Sequence, residues 1–543
     1  IGAEASKPVM EGKGLLFKIF ADINVFDIEI NEKDPDKFIE IVKGISPTFG
    51  GINLEDIKAP EAFYIEQRLK EELNIPLMHD DQHGTAIISA AALINALELA
   101  DKKIDEVKMV VNGAGAAAIA CTKLYIALGL KIENVLMCDS KGVINHKREN
   151  LTPEKLDFIA QTDISTLEQA LEGADVFVGL SKGDVITAKM LSSMAENPVV
   201  FALANPTPEI DYNLAIATRP DVIMATGRSD FPNQVNNVLG FPYIFRGALD
   251  VQATGINEEM KLAAVKAIAE LAKEPVPEMV KLAYNVKNIG FGREYFIPKP
   301  FDNRLLTKVS IAVAKAAMES GISRKPIADF EKYENQLLDR MGRDEKLIRM
   351  MQNRARSNPK RVTLGNAEEY NVLKAAQILY EEGIAHPILL GEKKFIKEQM
   401  EKFGIHLDVP IVDPMDDDQD ENRKKYRETL WRLRNRKGVN EYIAKRLVRN
   451  RDYFGPLMLQ HGDTDALIVG YSKNYRTVLR PVLEIIEKAK GVDKIASMMM
   501  ILSDKKPYFF ADTSIHVNPT PEEMANIAKM AEYAIKSFAI QPR

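Results

Sequence analysis

Two short acidic clusters stand close together in the first hundred residues. One is Glu55-Asp56, in Phe49-Gly50-Gly51-Ile52-Asn53-Leu54-Glu55-Asp56-Ile57, and the other is His79-Asp80-Asp81, in Ile75-Pro76-Leu77-Met78-His79-Asp80-Asp81-Gln82-His83-Gly84-Thr85. Each follows an apolar run with the look of a buried strand. Carboxylates at the ends of buried strands are costly unless they are paired, hydrogen-bonded or metal-bound. Neighbouring residues on a strand point to opposite faces, so Glu55 and Asp56 share a ligand only where the strand gives way to a turn. Three carboxylates meeting from two strand ends suit a hard divalent cation, Mg²⁺ or Mn²⁺. Taken alone, such pairs are more often plain polar turns.

A lysine upstream has a similar double reading. Pro8 suits the first position of a helix, which places Lys13 in the first turns. Lys13 is either an ordinary solvated lysine or a partly buried one whose lowered pKa lets it accept a proton. Residues 35–43, 59–73 and 84–100 read as helices between and after the acidic clusters.

A third signal is contiguous. Val107-Lys108-Met109-Val110-Val111 reads as a strand running into Asn112-Gly113-Ala114-Gly115-Ala116-Ala117-Ala118, followed by an Ala-rich helix. Gly-x-Gly-x-x-Ala between strand and helix allows a tight turn and brings a pyrophosphate onto the helix N-terminus. The next strand, 134–138, ends at Asp139, 24 residues after Gly115. That is near the place of a ribose-binding acid. The acid favours NAD, whereas Ser140 and Lys141 could accept the 2′-phosphate of NADP. Strands at 175–180, 198–203 and 222–225 follow, and Asn205 leaves the second of these where open α/β sheets bind ligands. Asn205 in Ala204-Asn205-Pro206 and Asn237 in Val235-Asn236-Asn237-Val238 are equally compatible with simple turns.

Composition sets bounds on this chemistry. The chain has 543 residues, 46% hydrophobic and 28% charged, with a mean hydropathy of −0.18. That is room for three or four globular domains. A net charge of −6 and a pI near 5.9 do not favour nucleic acid. Cys121 and Cys138 both lie in apolar runs, which fits a reducing, cytoplasmic compartment. With no apolar run of about 18 residues, no membrane span is expected. The chain opens Ile1-Gly2-Ala3 and closes Gln541-Pro542-Arg543, so both ends read as cuts through a longer protein.

Beyond residue 255 the chain reads as mainly helical, and 322–351 as a charged connecting helical segment. A second α/β region starts with a strand at 361–364, a helix at 367–382 and a strand at 387–390. Asp413-Pro414-Met415-Asp416-Asp417-Asp418-Gln419-Asp420-Glu421 has the acidity of a calcium loop without its turn glycine. It reads better as the acidic start of a basic helix over 423–436.

Several motifs occur together in one order and spacing: Lys7-Pro8-Val9-Met10-Glu11-Gly12-Lys13, the two acidic clusters, Val111-Asn112-Gly113-Ala114-Gly115-Ala116, and Ile297-Pro298-Lys299-Pro300-Phe301-Asp302. With these, residues 1–320 resemble the bacterial malic enzymes. Residues 330–543 resemble a phosphate acetyltransferase domain, through Val372-Leu373-Lys374-Ala375-Ala376, Pro387-Ile388-Leu389-Leu390-Gly391, Gly462-Asp463-Thr464-Asp465-Ala466 and Thr477-Val478-Leu479-Arg480-Pro481. The fusion is similar to the hybrid NADP-dependent malic enzymes.

The resemblance implies an α/β protein in three parts. These are a malic enzyme N-terminal domain over 1–90, a Rossmann-type NAD(P) domain over 91–325 and an acetyltransferase-like α/β domain over 326–543. It implies Lys13 as a catalytic lysine with Asp80 beside it, and Glu55, Asp56 and Asp81 as metal ligands. It further implies Asn205 and Asn237 as substrate contacts and 114–117 as the pyrophosphate turn. The expected activity is conversion of malate to pyruvate and CO₂ by a homo-oligomer. Acetyl-CoA is the expected effector, met in part by Arg480. The family's catalytic tyrosine is expected upstream of residue 1, and the acetyltransferase Ser-Arg motif beyond residue 543. Leu364-Gly365-Asn366-Ala367 stands where that family usually has Pro-Glu-Gly, which fits lost transferase chemistry.

Overall fold

The apolar run before each acidic cluster forms a three-residue strand, and the two strands pair. The computed structural model describes residues 2–284, 286, 289–340, 344–489, 492, 494–503, 506–538 and 540–542. Ile1, Arg543 and residues 341–343 of the connecting segment lie outside the described residues. The chain divides into two units, Ile1–Met341 and Gly342–Arg543.

In the first unit, helix α1 (Ala3–Ala21) begins five residues before Pro8, which lies inside it rather than at its start. The turn ahead of the proline is held by Ser6, whose hydroxyl donates to the Ala3 carbonyl at 2.8 Å. Lys13 therefore sits near the midpoint of α1. Helix α2 (Pro35–Ile45) is capped by Asp34 and has Pro35 at its first position. Strand β1 (Ile52–Leu54), helix α3 (Glu61–Glu72) and strand β2 (Leu77–His79) form a parallel βαβ unit, with Leu54 opposite His79.

Helix α4 (Asp80–Leu99) starts directly after β2, so Asp80 and Asp81 occupy its first turn and complement the helix dipole. The sequence expectation began this helix four residues later. It is Ala-, Ile- and Leu-rich on every side and correspondingly buried.

Strand β3 (Met109–Asn112), helix α5 (Ala116–Ala127), and strands β4 (Val135–Asp139), β5 (Gly142–Val143), β6 (Val176–Gly179), β7 (Val199–Ala202) and β8 (Ile223–Thr226) build a six-stranded sheet ordered β5-β4-β3-β6-β7-β8. All neighbours are parallel except β5, which closes the edge as a short antiparallel strand. Alternate residues feed two cores. Met109, Val111, Val178 and Phe201 face one, whereas Val110, Phe177, Val200 and Met224 face the other. The order in which strands are added to the sheet reverses between β3 and β6, the place where such sheets open a crevice.

The second unit holds a four-stranded parallel sheet ordered β11-β10-β9-β12, made of β9 (Lys360–Gly365), β10 (Ala385–Leu390), β11 (Ile411–Val412) and β12 (Ala466–Ile468). Strands β13 (Met498–Ser503) and β14 (Lys506–Ala511) form a separate antiparallel pair. The acidic run at 413–421 leads into the helix Asp420–Arg434, with Arg423 donating to the Pro414 carbonyl at 2.8 Å. Among the described residues no helix is long and apolar enough to cross a membrane.

Candidate active site and cofactor crevice

The register of β1 against β2 decides the first site. Because Leu54 lies opposite His79, the next residues, Glu55 and Asp80, emerge side by side. Lys13 reaches between them from α1, its Nζ 2.9 Å from Glu55 Oε1 and 2.5 Å from Asp80 Oδ2. The ammonium lies 4.4 Å from the centre of the Phe241 ring. Asn53 Nδ2 donates to Glu55 Oε2 at 2.9 Å, and Asn237 Nδ2 donates to Asp80 Oδ2 at 3.3 Å. The Thr85 hydroxyl in turn donates to Asn237 Oδ1 at 3.1 Å.

Asp80 is fully buried and its Oδ1 has no partner. Gly84, one turn along α4, makes room for that oxygen: a Cβ there would stand 2.2 Å from it. The glycine of His83-Gly84-Thr85 is thus a steric requirement of the site, which sequence reading passed over.

Asp56 turns away with a φ of 57°, so the strand does give way to a turn at this point. Its N–H donates to Asp81 Oδ2 at 2.9 Å, which ties the two clusters together. Both side chains are more open to solvent than Asp80.

Burial pushes the Glu55 carboxyl up to about 7, against the opposing pull of Lys13. Burial likewise raises Asp80. Burial disfavours the Lys13 ammonium, but the two carboxylates outweigh it and hold its pKa above the ordinary lysine value. A lowered lysine pKa is therefore not what this arrangement produces, because the side chain has two countercharges in contact.

A divalent cation can be tested against these residues. Hard oxygen donors and a buried carboxylate oxygen without a partner suit one. Among the described residues, however, no three His, Cys, Asp or Glu side chains are arranged to hold a metal ion. The Lys13 ammonium stands between two of the carboxylates.

Behind the site lies a second buried network without an obvious sequence signal. Glu66 accepts from the His79 N–H at 3.1 Å, and its other oxygen lies 2.9 Å from His83 Nε2. Lys261 Nζ approaches His83 Nδ1 at 3.2 Å and Glu258 at 2.7 Å. Burial, then the Lys261 charge, lowers the His83 pKa to about 4. This network braces β2 and the first turn of α4, which carry Asp80 and Asp81.

The cofactor crevice lies at the C-terminal ends of β3 and β6. Gly113 has a φ of 135°, and a Cβ on it would meet the Leu180 carbonyl oxygen at 2.7 Å. Gly115 faces open space, and α5 begins with no side-chain cap on its first N–H groups. Those N–H groups and that space suit a pyrophosphate. Ala114, Ala116 and Ala117 are half-buried around the turn, while Ala118 packs into the core. Asn112 Nδ2 donates to Ser181 Oγ at 2.8 Å, bridging the two loops of the crevice.

Asp139 ends β4 as expected, but its oxygens contact cations: Arg148 at 3.0 and 2.9 Å and Lys155 at 3.1 Å. Burial opposes ionisation there, yet Arg148, the Lys141 N–H and Lys155 hold the carboxyl at about 2. Ser140 and Lys141 are exposed beside it. Asn205 stands exposed past the end of β7, and among the described residues no hydrogen bond joins it to the Lys13 group. The structure thus brings Lys13, Glu55, Asp80 and Asn237 into one contact group and leaves Asn205 outside it.

In the second unit Arg480 and Pro481 lie within the helix Tyr475–Ile485. Arg480 is 77% exposed and donates to Glu484 Oε1 at 2.9 Å. It borders a cavity of about 640 Å³ whose lining includes Arg434, Lys437, Tyr453 and Arg476.

Comparison with known proteins bears on both units. The malic enzyme N-terminal domain family matches residues 1–70, and the malic enzyme NAD binding domain family matches 82–290. The phosphate acetyl/butaryl transferase family matches 346–543. An NADP-dependent malic enzyme of Escherichia coli is 50% identical over all of this chain and 72% of its own length. An NAD-dependent malic enzyme of Rhizobium meliloti is 46% identical over all of this chain and 71% of its own. A crystal structure of malic enzyme from Pyrococcus horikoshii superposes with a TM-score of 0.57 at 41% identity, covering 63% of this chain and 77% of that one.

Proposed function

The chain belongs to the malic enzyme family, and from that premise we propose that it converts malate to pyruvate and CO₂ with reduction of NADP, in a metal-dependent reaction regulated by acetyl-CoA. The observation that carries the reading is the meeting of Lys13, Glu55 and Asp80, from three separate elements, around one buried point. The activity named for the full-length E. coli relative supports the same reading.

When bound, the nicotinamide takes the hydride and the divalent ion withdraws electrons from the substrate oxygens. Glu55, Asp56 and Asp81 are the residues to hold that ion. An ion held by Glu55 would compete with the Lys13 ammonium for that carboxylate, and with one countercharge fewer Lys13 would give up its proton more readily. Lys13 then accepts the malate hydroxyl proton, with Asp80 keeping the amine in place. Asn237 holds Asp80 from the other side and, with Asn205 at the β7 end, orients the substrate carboxylates. The 113–118 turn seats the pyrophosphate.

Acetyl-CoA regulation is supported by the basic cavity beside Arg480, where guanidinium groups can pair with phosphates. Effector control requires that the ligand bind two conformations differently. Two free, buried cysteines support a cytoplasmic location. Exposed Leu15, Ile19 and Phe26 on and after α1 support a homo-oligomer.

One assay tests the reading: pyruvate and CO₂ formation from malate with each nicotinamide, with and without Mn²⁺ and acetyl-CoA. Mn²⁺-dependent pyruvate formation, faster with NADP and slowed by acetyl-CoA, is expected. Oxaloacetate without CO₂ release, or indifference to Mn²⁺, would contradict it.

A further inference from the structure

The loops that follow β6 and β7 are tied to each other by a single carboxylate. Glu209 is wholly buried. Its Oε1 accepts from the Ser181 N–H at 3.2 Å, just past β6, and its Oε2 accepts from the Ala204 N–H at 3.0 Å, just past β7. The Glu209 carbonyl accepts from the Val185 and Ile186 N–H groups at 3.0 and 2.9 Å, which fastens the same two loops a second time. The approach is close enough to require glycine on the β6 side. A Cβ on Gly179 would stand 2.2 Å from Glu209 Cδ, and one on Gly183 would stand 2.6 Å from Thr207 Cβ.

Among the described residues no cation pairs with Glu209. Burial pushes its carboxyl above the ordinary value, and the Ala204 and Ser181 N–H groups pull the other way. A buried carboxylate that depends on main-chain donors is costly to deprive of one, so the spacing of the two loops is fixed by the side chain between them.

The tie continues at each end. Ser181 Oγ accepts from Asn112 Nδ2 at 2.8 Å, and Asn112 leads directly into the Gly-x-Gly-x-x-Ala turn of the cofactor crevice. Ala204 is followed by the exposed Asn205, the residue proposed to meet the substrate carboxylates. One bonded path therefore runs from the dinucleotide turn through Ser181 and Glu209 to the substrate loop.

We propose that Glu209 is a positioning residue that couples cofactor binding to substrate binding, so that a dinucleotide ordering the Ser181 loop sets Asn205 for the dicarboxylate, and the reverse. This deepens the malic enzyme reading and rests on it for the identity of the two ligands. Glu209, wholly buried, acts through the loops it joins. Coupling of this kind is reciprocal: each ligand must tighten the other by the same factor.

The test uses the full chain with Mn²⁺ and two ligands that cannot react together: NADP⁺, and oxalate, a dicarboxylate with no C–H to give up as hydride. Calorimetry measures oxalate affinity with and without NADP⁺, and NADP⁺ affinity with and without oxalate, in the parent, Glu209→Gln and Ser181→Ala. Thermal melts confirm each fold. In the parent each ligand should tighten the other by about fivefold or more. Glu209→Gln turns an amide N–H towards one of the two main-chain N–H groups, so the loops part and the factor should fall below about twofold. Ser181→Ala removes the bond to Asn112 at an exposed position and should lower the factor by about twofold or more. A merely structural role would weaken each ligand alone and leave the factor unmoved. Should Glu209→Gln fail to fold, Ser181→Ala alone decides. No coupling in a parent that turns over malate, or a parental factor in the folded variants, would overturn the proposal. Coupling that Glu209→Gln abolishes, in a parent without malate turnover, would count against the malic enzyme activity and not against the role of Glu209.

Discussion

The two charged clusters of the first unit are built from the same groups in opposite proportion. At Lys13 one ammonium is surrounded by carboxylates, with Glu55 and Asp80 in contact and Asp81 and Asp56 alongside. At Asp139 one carboxylate is surrounded by cations. The first group is deep, with Asp80 wholly buried, and the second is open to solvent. Excess negative charge in a buried place is costly until a cation enters, which is why burial drives Glu55 to about 7. Excess positive charge near solvent costs little and stays ready for an anion. Proportion and depth, not residue type, set which ligand each cluster favours.

The largest expected effect comes from upsetting the proportion at the buried end. Glu55→Gln or Asp81→Asn removes a charged donor, and a neutral amide is a poorer ligand for a hard cation. Loss of even an outer-shell partner costs 10–100-fold, so Mn²⁺-dependent pyruvate formation should fall by more than about 100-fold with the fold intact. Unchanged activity and metal affinity in both variants would separate these carboxylates from the reaction.

A smaller effect is expected from changing space instead of charge. In Gly84→Ala the new methyl meets Asp80 Oδ1 at 2.2 Å and must shift the carboxylate whose Oδ2 contacts Lys13. Overpacking of this kind costs about 1–3 kcal/mol, read as a lowered melting temperature. The turnover number should fall by about tenfold or more, as expected when a proton-accepting group is mispositioned. A variant as active and stable as the parent would show that Asp80 is free to move.

Further from both clusters, Arg480→Ala should raise the acetyl-CoA concentration needed for half-inhibition by about threefold to tenfold, the worth of one exposed charged contact. Equal inhibition of parent and variant would remove Arg480 from the effector site.

The smallest effect is at the open end and depends on pH. Asp139 is held near 2, below the ordinary value of 3.8. A depressed carboxylate contributes stability that is fully present above about 3.8 and is lost as the pH falls towards 2. After allowance for solvent screening this is about 1 kcal/mol. In denaturant titrations the parent should exceed Asp139→Asn by that amount at pH 6, and the gap should narrow at pH 3. A gap independent of pH would mean that the ion pairs contribute nothing.

What was legible in the sequence was local. Strand, Gly-x-Gly-x-x-Ala and helix occur within about twenty residues, and a turn needing a φ of 135° next to a carbonyl admits little but glycine at position 113. The alternation that buries β3 on two faces is also a property of neighbouring residues. The expected alternatives at Glu55, Asp80 and Lys13 stayed open because 67 residues separate Lys13 from Asp80. Their contact depends on Leu54 pairing with His79 and on α1 crossing the strand ends, and a one-residue slip would turn the carboxylates apart. Arg148 and Lys155 were invisible beside Asp139 because a basic residue in a loop has no periodicity to reveal its partner. The place of Arg480-Pro481 was not legible locally either: proline favours a helix start, whereas Pro481 sits inside the helix and packs there, buried. Nearest-neighbour sterics determined the turns and the two-faced strands; register and packing over long separations decided which charges meet, and therefore what each cluster favours.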